Sequence, residues 1–333
     1  MNTGIALKST DLTFRLYRDS DLSGVLSLWT NHSGWGELSA EQWNGWRLTP
    51  YGPCLVPIAL DSADQIVAMS VLTPCRIWTR DRELRALRLS SPILSSEWRT
   101  ASLRSPSHPI WQLLLTALET ALADDCDLLY GLPAHAWLAG FRLVSRFGLP
   151  SVVVNEFPCV AFPVRHAPVD SRGTEDAGLA VRWIDRFTDE HEAIWRSVCQ
   201  RAPFTASVAR EPQWLQWENG RHFILEFRDP VGEQATGYVA VRKGDGLVMD
   251  LFVRDFERTS DYLTATARAL VEHTEASELG SIKIMKTPYL GRFLRSDDST
   301  PVDFKFAHVY RVLNDTVGEH LLSSDSWYVT PSG

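Results

Sequence analysis

Leu12-Thr13-Phe14-Arg15-Leu16-Tyr17, then a helix carrying Trp29, then Glu41-Gln42-Trp43-Asn44-Gly45-Trp46: so the chain opens. From the middle it reads Leu179-Ala180-Val181-Arg182-Trp183-Ile184, a helix carrying Trp195, then Glu211-Pro212-Gln213-Trp214-Leu215-Gln216-Trp217. Each passage continues into strand patterns, a long helix, another strand, and a short helix after a proline. The first ends in Leu129-Tyr130-Gly131-Leu132-Pro133, the second in Ile284-Met285-Lys286-Thr287-Pro288. A repeat this long is not a solenoid unit. It predicts two similar domains, 1–165 and 179–333, joined by a linker at 166–178, a stretch rich in Pro, Asp, Ser, Arg and Gly without apolar periodicity.

Working outward, Ser39-Ala40-Glu41-Gln42 is a capping-box sequence that starts a helix. Leu55–Leu60, Ile66–Trp78 and Leu84–Leu94 read as strands, with Pro74 expected to break or bulge the second. Ile110–Ala123 is amphipathic, with Leu114, Leu118 and Leu122 on one face. Asp127–Leu132 is a strand, Trp137–Phe147 a helix, and Val152–Val164 a strand pair interrupted at Pro158. In the second half, helices are expected at Asp189–Arg201, Ser260–Thr274 and Tyr289–Leu294, with a strand at Ser281–Met285 between the last two. The fold class is therefore α+β.

Composition narrows the function classes. The chain has 333 residues and a net charge of −8, which argues against a broad nucleic-acid surface. None of its five cysteines forms a C-x-x-C pair, so no metal site is expected and the thiols read as free and buried. No apolar stretch nears the ~20 residues of a membrane span. Without a visible signal peptide, a cytoplasmic location is expected.

The element order, with Asp127-Leu128-Leu129-Tyr130-Gly131-Leu132-Pro133 followed by Phe141 and Arg146-Phe147-Gly148, resembles the GCN5-related N-acetyltransferase (GNAT) superfamily. The doubling looks like tandem-GNAT proteins and Fem-type aminoacyltransferases. The closing Ser326-Trp327-Tyr328-Val329-Thr330 is similar to the tails of some tandem proteins. The resemblance implies two GNAT-like domains, each a mostly antiparallel mixed sheet flanked by helices. It implies acyl transfer from a thioester or ester to an amine. Two central strands would splay to take a pantetheine arm, and the next helix N-terminus would receive the diphosphate. The implied donor is an acyl-CoA, a carrier-protein pantetheine or an aminoacyl-tRNA, with no tightly bound cofactor. The implied acceptor is a small-molecule amine.

The family's Gly-rich phosphate turn is missing. Its place holds Trp98-Arg99-Thr100-Ala101-Ser102-Leu103-Arg104-Ser105-Pro106-Ser107-His108-Pro109, and in the second half Arg254-Asp255-Phe256-Glu257-Arg258-Thr259-Ser260. Two carboxylates make the second hostile to phosphate. Donor contacts are thus expected in the first half, at Leu94, Ser95, Ser96, Arg99, Arg104, Ser105, Ser107 and His108. The resemblance places a carboxylate at Asp250 and an acid at Tyr289; His135, after its strand, is a candidate base. Trp35, Trp43 and Trp46 are candidates for an acceptor pocket, with core packing expected for at least two. The competing class is a non-catalytic protein in which both copies have lost the phosphate turn and bind a ligand or partner.

Overall fold

The computed structural model describes residues 12–103, 105, 108–133, 137–147, 151–164, 179–229, 234–273, 279–295, 299–314, 317 and 323–332, with main chain alone at 91, 139, 143, 146 and 147. The first run of elements is β1 (Thr13–Leu16), α1 (Leu22–His32), α2 (Ala40–Arg47), β2 (Leu48–Thr49), β3 (Gly52–Pro53), β4 (Pro57–Leu60), β5 (Ile66–Thr79), β6 (Glu83–Leu94), α3 (Ser96–Thr100), α4 (Pro109–Ala123), β7 (Leu128–Gly131), α5 (Leu138–Leu143) and β8 (Val153–Pro163). The second is β9 (Ala180–Trp183), α6 (Asp189–Arg201), β10 (Ala206–Val208), α7 (Pro212–Asn219), β11 (Phe223–Arg228), β12 (Ala235–Val241), β13 (Val248–Val253), α8 (Thr259–Glu272), β14 (Ser281–Met285), β15 (Thr300–Val312) and β16 (Trp327–Tyr328).

The chain forms two compact units. One gathers the described residues of 1–76, 84–155 and 307–318; the other those of 77–83, 156–306 and 319–333. Neither is one consecutive stretch, and β5, β6, β8 and β15 contribute residues to both. The expected linker, 166–178, lies outside the described residues.

In the first unit the strand order is β1-β4-β5-β6-β7-β15. The β6–β7 pair is parallel, from Ala86↔Leu128 to Leu89↔Gly131. A parallel pair needs a crossover, and α4 supplies it. The buried face of α4 carries Ile110, Leu113, Ala117 and Ala121. Helix α2 starts as its sequence demands: Ser39 Oγ accepts from Gln42 N–H at 3.1 Å, and Ser39 N–H donates to Gln42 Oε1 at 2.9 Å. Its Trp43 is fully buried against Val25, Leu28, Ile58 and Met69. Truncating such an indole costs about 3–5 kcal/mol.

In the second unit β9, β11, β12 and β13 form an antiparallel sheet in the order β13-β12-β11-β9. Strand β14 pairs with β8, and β10 lies between β16 and Ile77–Thr79. One core joins Ile194, Trp195 and Val198 of α6 to Leu225, Val239, Leu251, Leu263 and Tyr328. All five cysteines are free and buried. Among the described residues no helix is long and apolar enough to cross a membrane.

Two expected breaks are absent. Strand β5 runs through Pro74. Leu72 exchanges bonds with Leu55, so position 74 faces the same edge, past that last bridge and before β10 pairs at Ile77. The missing N–H of Pro74 thus interrupts no ladder. Strand β8 runs through Pro158, which pairs past the end of β14. The expected helix at Tyr289–Leu294 is only a 3-10 turn over Leu290–Arg292.

Candidate active site

The parallel pair of the first unit separates. Its register ends at Leu89↔Gly131, where β7 stops, while β6 runs on to Leu94. Gly131 marks the closest approach: a Cβ there would sit 2.8 Å from the Leu89 carbonyl oxygen. Only glycine lets the backbones meet so tightly before they part. Past this point a cavity of about 400 Å³ opens. Its walls are Leu89, Ser90, Pro92, Ile93 and Leu94 of β6, Gly131 at the end of β7 and Pro133 beyond it. His32, Ser33 and Trp35 come from the end of α1 and the loop after it. Arg99, Leu103 and His108 come from the stretch before and at the start of α4, Trp137 and Phe141 from around α5, and Val309 from β15. The volume suits a small ligand or a cofactor arm.

The polar groups of this wall are held in place. The Arg99 guanidinium donates to the His32 carbonyl and, at 3.3 Å, to that of Leu94, tying the end of α1 to the end of β6. His108 caps α4: its Nδ1 accepts from Ile110 N–H at 3.2 Å, and Nε2 lies 2.9 Å from the Trp98 carbonyl. Those partners assign the proton to Nε2. Burial lowers the His108 pKa, outweighing the bond to Trp98, so the ring is neutral. The stretch leading into α4 turns its amides inward. Ser105 N–H donates to Ser102, His108 N–H to Ser105, and Trp111 N–H to His108. Pro109 has no N–H.

The second unit repeats the parting of strands with a different outcome. Strands β13 and β14 meet at the parallel bridge Leu247↔Lys283, beside Gly246, whose φ is +70° and whose Cβ would lie 2.4 Å from the Ser281 carbonyl oxygen. Beyond the bridge, two β13 carbonyls are taken by the chain's own C-terminal segment. Met249 accepts from Ser332 N–H at 3.0 Å, and Leu251 accepts from the Tyr328 hydroxyl.

Asp250 lies in the same knot and is 2% exposed. It accepts from Arg210 Nη2 at 3.0 Å and Nε at 3.1 Å, Tyr238 Oη at 2.8 Å, Thr330 Oγ1 at 3.1 Å and Leu251 N–H at 3.0 Å. Arg210 also donates to Ser207 Oγ and the Val208 carbonyl. Burial opposes the Arg210 charge, yet Asp250 holds the guanidinium pKa above its ordinary value. A carboxylate with this many fixed donors has the chemistry of an anchor. Tyr289 packs edge-on against Phe204 and Phe256, and burial pushes its hydroxyl up to about 12.

Of the donor residues expected from sequence, Leu94, Arg99 and His108 share the cavity wall. Ser95 is the N-cap residue of α3, its hydroxyl buried and unpartnered among the described residues. Ser96 is exposed on α3, and Ser105 sits in the inward-turned stretch. Arg104, Ser107 and His135 lie outside the described residues. Among the three tryptophans, Trp35 lines the cavity at 57% exposure, while Trp43 belongs to the core cluster and the partly buried Trp46 packs against it. Sequence reading missed His32, Ser33, Trp137 and Phe141. The signal for His32 was the Gly34-Trp35-Gly36 loop after it, where both glycines have positive φ.

No family model matches the sequence, and no curated protein does. Solved structures do. A GCN5-related N-acetyltransferase from Kribbella flavida is 15% identical, with 91% of this chain and 71% of that one covered at a TM-score of 0.58. Another from Anabaena variabilis is 10% identical, with 91% and 73% covered at a TM-score of 0.62. At such identities the likeness establishes the fold, which is that of the GNAT proteins.

Proposed function

We propose that the chain is an acyltransferase whose first unit binds a pantetheine thioester where β6 and β7 part and moves its acyl group to an amine. The cavity at the end of the Leu89–Gly131 register carries this reading. A pantetheine arm is a slim chain of amides, and a strand edge freed from its neighbour offers the N–H and C=O groups to match it. The two units are read as two copies of one fold, with the second slot closed by residues 327–332.

Transfer to an amine needs the nitrogen lone pair free. Among the described cavity residues the titratable side chains are His32, Arg99 and His108. Arginine keeps its proton, and both nitrogens of His108 are engaged. His32 therefore takes the proton. The amine nitrogen bonds the thioester carbon, the C–S bond breaks with its electron pair on sulfur, and the nitrogen's proton passes to the His32 imidazole. The imidazolium returns it through water to the thiolate, leaving an amide and a free thiol. Asp250 and Tyr289, in the second unit, are assigned no step.

The test measures thiol release from acetyl-CoA and longer acyl-CoAs with a panel of arylalkylamines, and native mass spectrometry of the same mixtures. His32→Ala is expected to lower turnover by roughly 10²–10⁴, with partial recovery on adding free imidazole. His135→Asn serves as the comparison. If that variant carries the loss and His32→Ala does not, the base assignment is wrong. Binding of thioesters without transfer to any amine would instead favour a ligand-binding protein.

A further inference from the structure

The described part of the turn between β6 and α4 has several of its N–H groups already bonded. A helix start binds phosphate through unpaired N–H groups of its first turn and the loop before it. Here six of the described N–H groups, from Arg99 to Trp111, are already spent. Arg99 N–H donates to the Ser95 carbonyl at 2.9 Å, Ala101 N–H to Trp98 at 3.3 Å, and Ser105 N–H to Ser102 at 2.9 Å. Pro106 and Pro109 have none. His108 N–H donates to Ser105 at 3.1 Å, Ile110 N–H to the His108 ring at 3.2 Å, and Trp111 N–H to the His108 carbonyl at 3.1 Å. The Trp111 indole N–H bonds the Leu103 and Ser105 carbonyls, each at 3.2 Å, and fixes the turn from beneath. The His108 ring is 2% exposed, a built part of the wall.

Resting on the reading that the cavity takes a pantetheine thioester, we infer that the donor is recognised by its acyl-pantetheine arm and not by a diphosphate. The chemical class of donor is a pantetheine thioester whatever lies beyond the arm, including one carried on a protein. Two features support it together. The arm's slot is open between Leu89–Leu94 and Gly131–Pro133, while six described N–H groups of the turn and helix start are closed on neighbouring carbonyls and the His108 ring. Arg99, the described cation of the wall, is itself occupied by the His32 and Leu94 carbonyls.

The experiment titrates the full chain with coenzyme A, with 3′-dephospho-coenzyme A and with pantetheine, by calorimetry, and repeats the first and last with Arg104→Glu. A charge-assisted bond to phosphate is worth roughly ten- to a hundred-fold in affinity, so a diphosphate grip would separate the probes widely. The expected result is that pantetheine and coenzyme A bind within about threefold of each other, and that Arg104→Glu changes both alike. Coenzyme A binding about tenfold or more tighter than pantetheine overturns the inference and leaves the function standing. So does an Arg104→Glu variant that loses coenzyme A affinity alone, since a side chain would then grip the phosphate. If neither probe binds at millimolar concentration, the pantetheine reading of the cavity fails, and this inference with it.

Discussion

Replacing Asp250 with Asn separates an anchor from a catalyst. The carboxylate is 2% exposed and faces a guanidinium that is equally buried. The amide keeps the shape and one acceptor oxygen, but it removes the countercharge and turns an NH₂ toward Arg210 or Tyr238. Breaking one side of a buried pair costs about 3–5 kcal/mol, because the remaining charge has no solvent to return to. At roughly 2–4 °C per kcal/mol for a unit of this size, the melting transition of the second unit should fall by about 6–20 °C. Differential scanning calorimetry reads this directly. Chemical denaturation followed by tryptophan emission checks it through the second unit's buried Trp195 and Trp214. The paired variant Arg210→Met with Asp250→Leu should recover at least half of the loss, since an apolar pair of similar volume carries no desolvation penalty. A catalytic Asp250 behaves in the opposite way, with turnover down by roughly 10²–10⁴ and the transition unmoved. A shift below about 1 kcal/mol, set against the buried-pair range above, would refute the anchor assignment.

Native mass spectrometry with a saturating pantetheine donor should show one equivalent per chain, and the Ser332 amide should be protected in hydrogen exchange because it donates to Met249. Two equivalents of similar affinity, or an unprotected Ser332, would mean that the second slot is open. Gly131→Ala forces a Cβ against the Leu89 carbonyl; about 1–3 kcal/mol of stability should be lost and donor affinity should fall, and a neutral variant would show that the strands do not need this approach. Acid should weaken both units. Burial depresses His308, in the first, from 6.5 to about 3 and His222, in the second, from 6.5 to about 4, so the unfolded chain binds protons that the folded one refuses. Stability should therefore be complete above pH 6.5 and decline as pH falls toward 3–4, read as urea midpoints; a flat profile across that window would contradict the neutral, buried rings.

Much of the architecture could be read directly because local signals agreed with it. Asp189–Arg201 and Ser281–Met285 have the bounds their patterns predict, and Ser39 and Gln42 form the expected box. The prolines misled. Whether a missing N–H interrupts a strand depends on which edge it faces, and one sequence does not say where the neighbouring strand ends. Strands β10 and β16 were invisible for a related reason: two or three residues have no period, and their pairing comes from tertiary placement. At the site, the missing glycine turn drew attention to the stretch from Arg99 to His108, of which Arg99, Leu103 and His108 line the cavity. It could not show that the N–H groups of Arg99, Ala101, Ser105 and His108 are already bonded, because Ser, Arg and Pro describe an open anion nest as well as a closed one.

Asp250 shows most clearly how position and role come apart. A lone acid in the apolar run Leu247-Val248-Met249-Asp250-Leu251 must be paired or functional, and the run cannot say which. The deciding partners come from far along the chain: Arg210 before it and Thr330 near its end. They arrive together because the C-terminal segment lies along β13, donating from Ser332 to Met249 on one side of Asp250 and from Tyr328 to Leu251 on the other. One event, the docking of that segment, thus supplies the acid with a partner and occupies two carbonyls past the point where the strands part. In the first unit the comparable stretch of β6 faces a cavity instead, with His32 and Arg99 at its rim. If the two units are copies of one fold, as proposed above, they can diverge this way at small cost, since a slot kept for a ligand would be a strand edge, and a strand edge is satisfied as well by a few residues of the same chain.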